Sequence, residues 1–286
     1  MASRRGETPF VDAGSLAGMP NTAGPDGEFV KHNPAAPPGF FAAEAAGLKW
    51  LAVAGGVPCV QVIDYNATSL TLQRLCPAAP TPQTARRFGE QLAHTHDAGA
   101  PAFGAAPAGY AGSGFFGPMS QPLPMSLVEH RSWGRFYADE RLAPMTQLAA
   151  RRLGHRVHDA VVEVAELCRS GLFDDDDAPA RLHGDLWSGN VMWTADRAVL
   201  IDPAAHGGHR ETDLAMLALF GCPYLDEVLA GYQCVRGLRD GWRDRIGLHQ
   251  LYPLLAHVVL FGGEYSGQVA AVADHILGNV SKLRIE

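Results

Sequence analysis

Arg181-Leu182-His183-Gly184-Asp185-Leu186-Trp187-Ser188-Gly189-Asn190-Val191-Met192-Trp193, followed after four residues by Ala198-Val199-Leu200-Ile201-Asp202-Pro203, is the stretch on which the fold turns. Val191-Met192-Trp193 and Val199-Leu200-Ile201 flank the polar run Thr194-Ala195-Asp196-Arg197. β-Branched and aromatic residues on either side of a polar turn predict a β-hairpin. Such a hairpin returns the chain to its starting point and delivers Asp202 beside the loop that carries Asp185 and Asn190. Two carboxylates and a carboxamide then converge, and their oxygens suit a hard divalent cation such as Mg²⁺.

The spacing His-x-Asp-x-x-x-x-Asn is that of a kinase catalytic loop, in which the aspartate receives a hydroxyl proton and the asparagine binds magnesium. Phosphoryl transfer leaves little covalent work for a protein, so catalysis is positioning plus neutralisation of phosphate charge. Asp185 then orients the acceptor hydroxyl and takes its proton, while Asn190 and Asp202 hold Mg²⁺. The chemistry also asks for a lysine on the ATP phosphates, held by a glutamate from a helix. Toward the N-terminus, Asp26-Gly27 predicts a turn and Glu28-Phe29-Val30-Lys31 a short strand. Beyond Pro34, Pro37 and Pro38, residues Phe41, Ala45, Leu48 and Leu51 recur at helical spacing. Lys31 on the strand and Glu44 on the helix meet the requirement in the right order.

The same periodicities divide the chain. Residues 1–75 read as an N-terminal ATP-binding lobe, a small antiparallel sheet with one helix, in which 1–28 is irregular and Val57 to Ile63 and Ser69 to Leu75 are strands around an Asp64-Tyr65-Asn66 turn. Pro77, Pro80 and Pro82 mark a hinge over 76–82, and 83–286 reads as a larger, mostly helical lobe with the catalytic and substrate residues. The fold class is therefore α+β. Within the second lobe, Thr84 to Ala98 and most of Trp133 to Cys168 are helical, 99–126 is a long shaped loop, and Asp174 to Asp177 is a solvated acidic loop. Gly112-Ser113-Gly114-Phe115-Phe116-Gly117 matches G-x-G-x-x-G, but it follows no clear strand, precedes Pro118 and lies after the lysine that a phosphate-covering loop should precede. Ala13-Gly14-Ser15-Leu16-Ala17-Gly18 is the candidate for that loop. His94, His96, His155 and His158 read as structural histidines.

Composition narrows the partners. With 286 residues and 47% hydrophobic content, the chain has material for one large domain or two lobes around a cleft. A formal net charge of −7 removes the positive excess that nucleic-acid binding needs and favours cationic substrates. No apolar run reaches the roughly 18 to 20 residues of a membrane span, and no signal-peptide stretch follows Met1, so the expectation is a soluble cytoplasmic protein. Five scattered cysteines without Cys-x-x-Cys spacing read as reduced packing residues. The P-loop, zincin and nucleophile-elbow motifs are missing.

The Trp-Ser-Gly-Asn form at 187–190 closely resembles the fructosamine kinase (ketosamine kinase) family. Ile201-Asp202-Pro203-Ala204, Gly208-His209-Arg210-Glu211-Thr212-Asp213-Leu214-Ala215-Met216 and Leu219-Phe220-Gly221 resemble it too, as do Phe29-Val30-Lys31, Leu72-Gln73-Arg74-Leu75, Phe103-Gly104 and His257 through Phe261-Gly262-Gly263 to Tyr265, in family order. The resemblance runs over nearly the whole chain from about residue 29. It implies a two-lobed protein-kinase-like fold and ATP-dependent phosphorylation of the third-carbon hydroxyl of ketosamines on amines or protein lysines, a deglycation chemistry. Carried over residue by residue, it makes Asp185 the base, Asn190 and Asp202 the magnesium ligands, Lys31 with Glu44 the ATP-phosphate pair, and the backbone from Gln73 to Leu75 the adenine contact. It suggests Trp187 and His209 on the substrate side, and Asp213 as a brace for the catalytic loop. Two other functions stay open: a kinase for another hydroxyl substrate, such as an aminoglycoside or amino alcohol, and a nucleotide-binding interaction module without turnover. Retention of Lys31, Glu44, Asp185, Asn190 and Asp202 removes the usual sequence sign of the second.

Overall fold

The computed structural model describes residues 22–23 and 27–283. Its first part is a four-stranded antiparallel sheet in the order β1 (Thr22–Ala23), β2 (Glu28–His32), β4 (Ser69–Gln73), β3 (Val62–Tyr65). Lys31 stands opposite Leu70 in the β2–β4 register. One helix, α1 (Phe40–Leu51), packs on this sheet. Gly39 turns the chain into it with φ 85°, a left-handed conformation that glycine adopts without a Cβ penalty. Phe41, Ala45, Leu48 and Leu51 bury one stripe of the helix, and Glu44 falls within that stripe. A carboxylate on an apolar face needs a partner, and β2 supplies Lys31.

Two details of this part depart from the sequence pattern. The pattern predicts irregular chain up to residue 28, whereas Thr22 and Ala23 pair with Val30 and Phe29. Ladder pairing uses backbone groups, so a two-residue strand leaves no side-chain period to read. The pattern also predicts a strand from Val57, whereas pairing with β4 begins at Val62. Residues 58–60 turn instead to the end of a distant strand: Leu200 N–H donates to the Pro58 carbonyl (2.8 Å) and Val60 N–H to the Leu200 carbonyl (3.0 Å). The reversal after β3 falls at Asn66, whose side chain accepts from the backbone of Thr68 and Ser69, and Tyr65 stays in the strand.

The second part is mostly helical. α2 (Pro82–Asp97) starts from a Thr81–Thr84 capping box with proline at the first turn. The long Gly- and Pro-rich stretch contains a hairpin, β5 (Gly114–Phe116) with β6 (Leu123–Met125). Then come α3 (Trp133–Phe136), a π-helical turn over Tyr137–Leu142, α4 (Ala143–Ala149) and α5 (His155–Arg169). β7 (Ala180–Leu182) leads into the 183–190 loop, and β8 (Val191–Trp193) with β9 (Ala198–Leu200) forms the expected hairpin. β10 (His206–Gly208) returns antiparallel to β7 and enters α6 (Glu211–Leu219). α7 (Leu225–Val235), α8 (Trp242–Phe261) and α9 (Ser266–Leu283) complete the chain. No described helix is long and apolar enough to cross a membrane.

α2 and α7 approach closely at two glycines. A methyl group at Gly89 would overlap the Val228 carbonyl, and one at Gly231 would overlap the Arg86 carbonyl. This crossing matters to the site because α2 carries His96 and α7 carries Tyr232, which lie under the catalytic loop. Gly89→Ala is expected to lower the unfolding free energy by about 1–3 kcal/mol through overpacking, read by urea denaturation. Wild-type stability in that variant would mean that the two helices separate freely.

Candidate active site

Two loops, one strand and one helix converge where the two lobes meet. Lys31 Nζ lies 2.6 Å from Glu44 Oε1 and 2.5 Å from Asp202 Oδ1. Lys31 is only 7% exposed and Glu44 6%. Burial opposes charge on the lysine, but Asp202 and Glu44 outweigh it and raise its pKa above the ordinary value. Burial also pushes the Glu44 carboxyl up, against the pull of Lys31. Asp202 takes φ 53°, an uncommon conformation for a residue with a Cβ, and its side chain stays about one-third exposed, facing solvent as well as Lys31.

Asp185 and Asn190 form the other half. The Asn190 amide nitrogen donates to the Asp185 carbonyl (2.7 Å) and to Asp185 Oδ2 (3.2 Å). The Asp185 carboxyl is pushed up to about 7, first by burial and then by the charge of Asp202, with the Asn190 hydrogen bond opposing. A carboxylate with that pKa is suited to exchange a proton near neutral pH.

The loop is held rigidly from below. Asp213, in the first turn of α6 and fully buried, accepts the backbone N–H groups of His183 (2.8 Å) and Gly184 (3.0 Å). His96 Nε2 lies 3.2 Å from the same carboxylate, and its Nδ1 lies 2.9 Å from the Tyr232 hydroxyl. His183 accepts Asp185 N–H on Nδ1 (3.3 Å) and meets the Ile201 carbonyl with Nε2 (2.9 Å), so the neutral ring carries its proton on Nε2. Burial lowers its pKa and keeps it neutral. Gly184 has φ 83°, and a Cβ there would overlap the Ala204 carbonyl, so His-Gly-Asp cannot exchange its glycine.

The fructosamine kinase family model matches residues 15–279. The chain belongs to the fructosamine kinase family. A provisionally assigned fructosamine-3-kinase from Thermobifida fusca is 46% identical, with 87% of this chain and 85% of that one aligned at a TM-score of 0.79. A probable ketoamine kinase of Synechocystis is 36% identical over 88% of this chain and 84% of its own length. A choline/ethanolamine kinase family protein from Mesorhizobium loti, 16% identical with a TM-score of 0.56 over 86% of this chain and 82% of its own, shares the fold. The fold is thus the two-lobed, protein-kinase-like α+β fold. Family membership makes the protein a phosphotransferase with a hydroxyl acceptor, and the family implies ATP as the donor.

Against this family background, the remaining expected residues fall in three places. The Gln73 side chain is exposed at the end of β4 and Leu75 is half-buried, and the Leu75 N–H makes no hydrogen bond among the described residues. Trp187 is half-buried, with one side on the helical core and its ring folded over Gly189, where a Cβ would overlap the indole. His209, expected on the substrate side, is buried in the protein. It is 3% exposed, its Nδ1 accepts Glu211 N–H (3.2 Å), its Nε2 faces Asp175 Oδ2 (3.3 Å), and its ring lies 5.4 Å from Trp133 and 4.9 Å from His249. Both nitrogens are engaged inside the protein.

The acidic run is an exposed loop as expected at Asp174 and Asp176, but two of its carboxylates are covered. Asp174 accepts from Ser132 Oγ and Gly134 N–H, Asp177 pairs with Arg210 (2.7 Å), and the Asp175 and Asp177 carboxylates are only 16% and 9% exposed. The backbone is at the surface, but the Asp175 and Asp177 carboxylates turn inward to arginines contributed by segments far along the chain. The loop candidate at 13–18 lies outside the described residues.

Asp213 titrates below the ordinary carboxylate range because the His96 ring and the backbone N–H groups of His183 and Gly184 outweigh the penalty of its burial. Its stabilisation is therefore complete above the unfolded pKa, about 3.9, and is lost as pH falls through the lower folded value. Asp213→Asn places an amide against two N–H donors and is expected to cost about 2–4 kcal/mol near pH 7. Chemical denaturation at a series of pH values should show that gap closing below about pH 4. A gap independent of pH would contradict the charged state assigned to Asp213.

Proposed function

We propose that this protein transfers the γ-phosphoryl group of ATP to the hydroxyl on the third carbon of a ketosamine, carried by a small amine or a protein lysine. The observation that carries this reading is the Asp185 carboxyl, held against Asn190 and one loop away from the Lys31–Glu44–Asp202 cluster. Names of relatives, fructosamine-3-kinase and ketoamine kinase, support the acceptor class.

The nucleotide would lie in the cleft between 1–75 and 83–286, with 76–82 as hinge. Its adenine would meet the backbone from Gln73 to Leu75, where the Leu75 N–H makes no hydrogen bond among the described residues. Lys31, oriented by Glu44, would hold the phosphates. The donor set fits Mg²⁺: Asn190 commits its amide nitrogen to Asp185, which leaves its oxygen uncommitted, and the second carboxylate oxygen of Asp202 makes no hydrogen bond among the described residues. When bound there, Mg²⁺ supplies neutralisation of phosphate charge. Asp185 takes the proton of the sugar hydroxyl as that oxygen bonds to the γ-phosphorus and ADP departs. Trp187 offers an indole as a wall for the sugar. The chain's net charge of −7 favours amine-bearing acceptors.

Mass spectrometry of fructosyl-lysine incubated with the protein, ATP and Mg²⁺ should show one added phosphoryl group, with ribulosyl-lysine and kanamycin as parallel acceptors. Product on kanamycin alone would move the assignment to an aminoglycoside. In the same assay Asp185→Asn should reduce kcat by about 10²–10⁴-fold and leave the ATP dissociation constant near that of the wild type. Near-full turnover in this variant would remove Asp185 as the base.

A further inference from the structure

Gly112-Ser113-Gly114-Phe115-Phe116-Gly117, whose pattern matches a phosphate loop in the wrong place, forms the first strand of the β5–β6 hairpin and its flanks. Neighbouring residues on a strand face opposite ways, and here they face different lobes. Phe116 goes into the helical core, its ring 5.0 Å from that of Tyr252 on α8 in an edge-to-face contact, and Leu123 and Met125 from β6 join it there. Phe115 and Met119 pack instead on the core of the N-terminal sheet. The Phe115 ring stands 5.4 Å from Phe40, again edge to face.

Phe40 is the first residue of α1, and Glu44 follows it by four residues, one turn along the same face. The hairpin also reaches the strand that carries Lys31. The Asn33 side-chain amide, two residues beyond Lys31, donates to the Met119 carbonyl (2.9 Å). The Tyr110 hydroxyl, which donates to the Ser113 carbonyl at 2.8 Å, approaches the carbonyl of Gly39 at the start of α1 (3.4 Å). An element anchored on α8 thus touches both the helix of Glu44 and the end of the strand of Lys31.

We propose that the β5–β6 hairpin is the clamp that positions the Lys31–Glu44 pair, with Phe115 and Asn33 as its positioning residues. This rests on the reading of Lys31 and Glu44 as the ATP-phosphate pair. A helix lying on a small sheet can slide or tilt by an ångström at little cost, whereas an ammonium–carboxylate contact of 2.6 Å cannot follow such a shift. The clamp removes that freedom by fixing the first turn of α1 to the larger lobe. The ring contact of Phe115 on α1 is with Phe40, so it acts through that residue.

The test is a double-mutant cycle on the full-length protein, read as the ATP dissociation constant by calorimetry, with the melting temperature recorded for each variant. Phe115→Ala is expected to weaken ATP binding about fivefold to tenfold, and Phe115→Leu to restore most of the loss. In a Glu44→Gln background the same Phe115→Ala change should add less than about twofold, because the contact it positions is already gone. Asn33→Ala should behave as Phe115→Ala does. A full effect of Phe115→Ala in the Glu44→Gln background would overturn the clamp, as would a lowered melting temperature with unchanged ATP affinity. Unchanged ATP affinity in Glu44→Gln itself would instead overturn the reading of the Lys31–Glu44 pair on which the clamp rests.

Discussion

The ammonium of Lys31 is buried between the carboxylates of Glu44 and Asp202, and a charge in that position is tolerable only with its partners in place. Each of the three residues comes from a different element: β2, α1 and the segment after β9. Satisfying one charge therefore fixes a strand, a helix and a loop against one another, and it joins the two lobes. The bridge from Pro58 and Val60 to Leu200 serves the same end, because it ties the strand that delivers Asp202 to the smaller lobe.

Beneath the cleft, a second constraint works in the opposite sense. Asp213 is a buried anion whose partners are backbone N–H groups and a histidine, and it holds the 183–185 segment at the start of α6. His96 and Tyr232 extend this support to α2 and α7, whose close crossing depends on Gly89 and Gly231. The start of the 183–190 loop is thus tied to α6 and, through His96 and Tyr232, to α2 and α7. Its raised Asp185 pKa comes from burial and a neighbouring carboxylate held at fixed geometry. Both constraints favour a site assembled before any ligand arrives, which is the condition under which fixed charges help phosphoryl transfer most.

A third cluster lies apart from these. Asp175, Asp177, His209, Arg210, Glu211, Arg245 and His249 interlock, with Arg245 forked onto Glu211 at 2.6 and 2.9 Å. Arginines face each of these carboxylates, so the cluster is a neutralised junction between the 174–177 loop, the start of α6 and α8. His209 belongs to this junction, with both ring nitrogens engaged by groups of the protein.

The sequence by itself determined the parts that depend on local order. The loop from His183 to Asn190, the hairpin that returns Asp202 to it, the strand of Lys31 and the helix of Glu44 all follow from spacing and periodicity, because each is written within about twenty consecutive residues. The fold class and the family follow from the same stretches. Tertiary structure alone decided which side chains face inward where the pattern is polar or short. The inward turn of Asp175 and Asp177 depends on arginines up to about sixty residues away, and the two-residue β1 depends on pairing that leaves no periodic trace. The division of Phe115 and Phe116 between two lobes depends on where a hairpin lands. None of these contacts is local, and a linear pattern records only what neighbours in sequence do to one another.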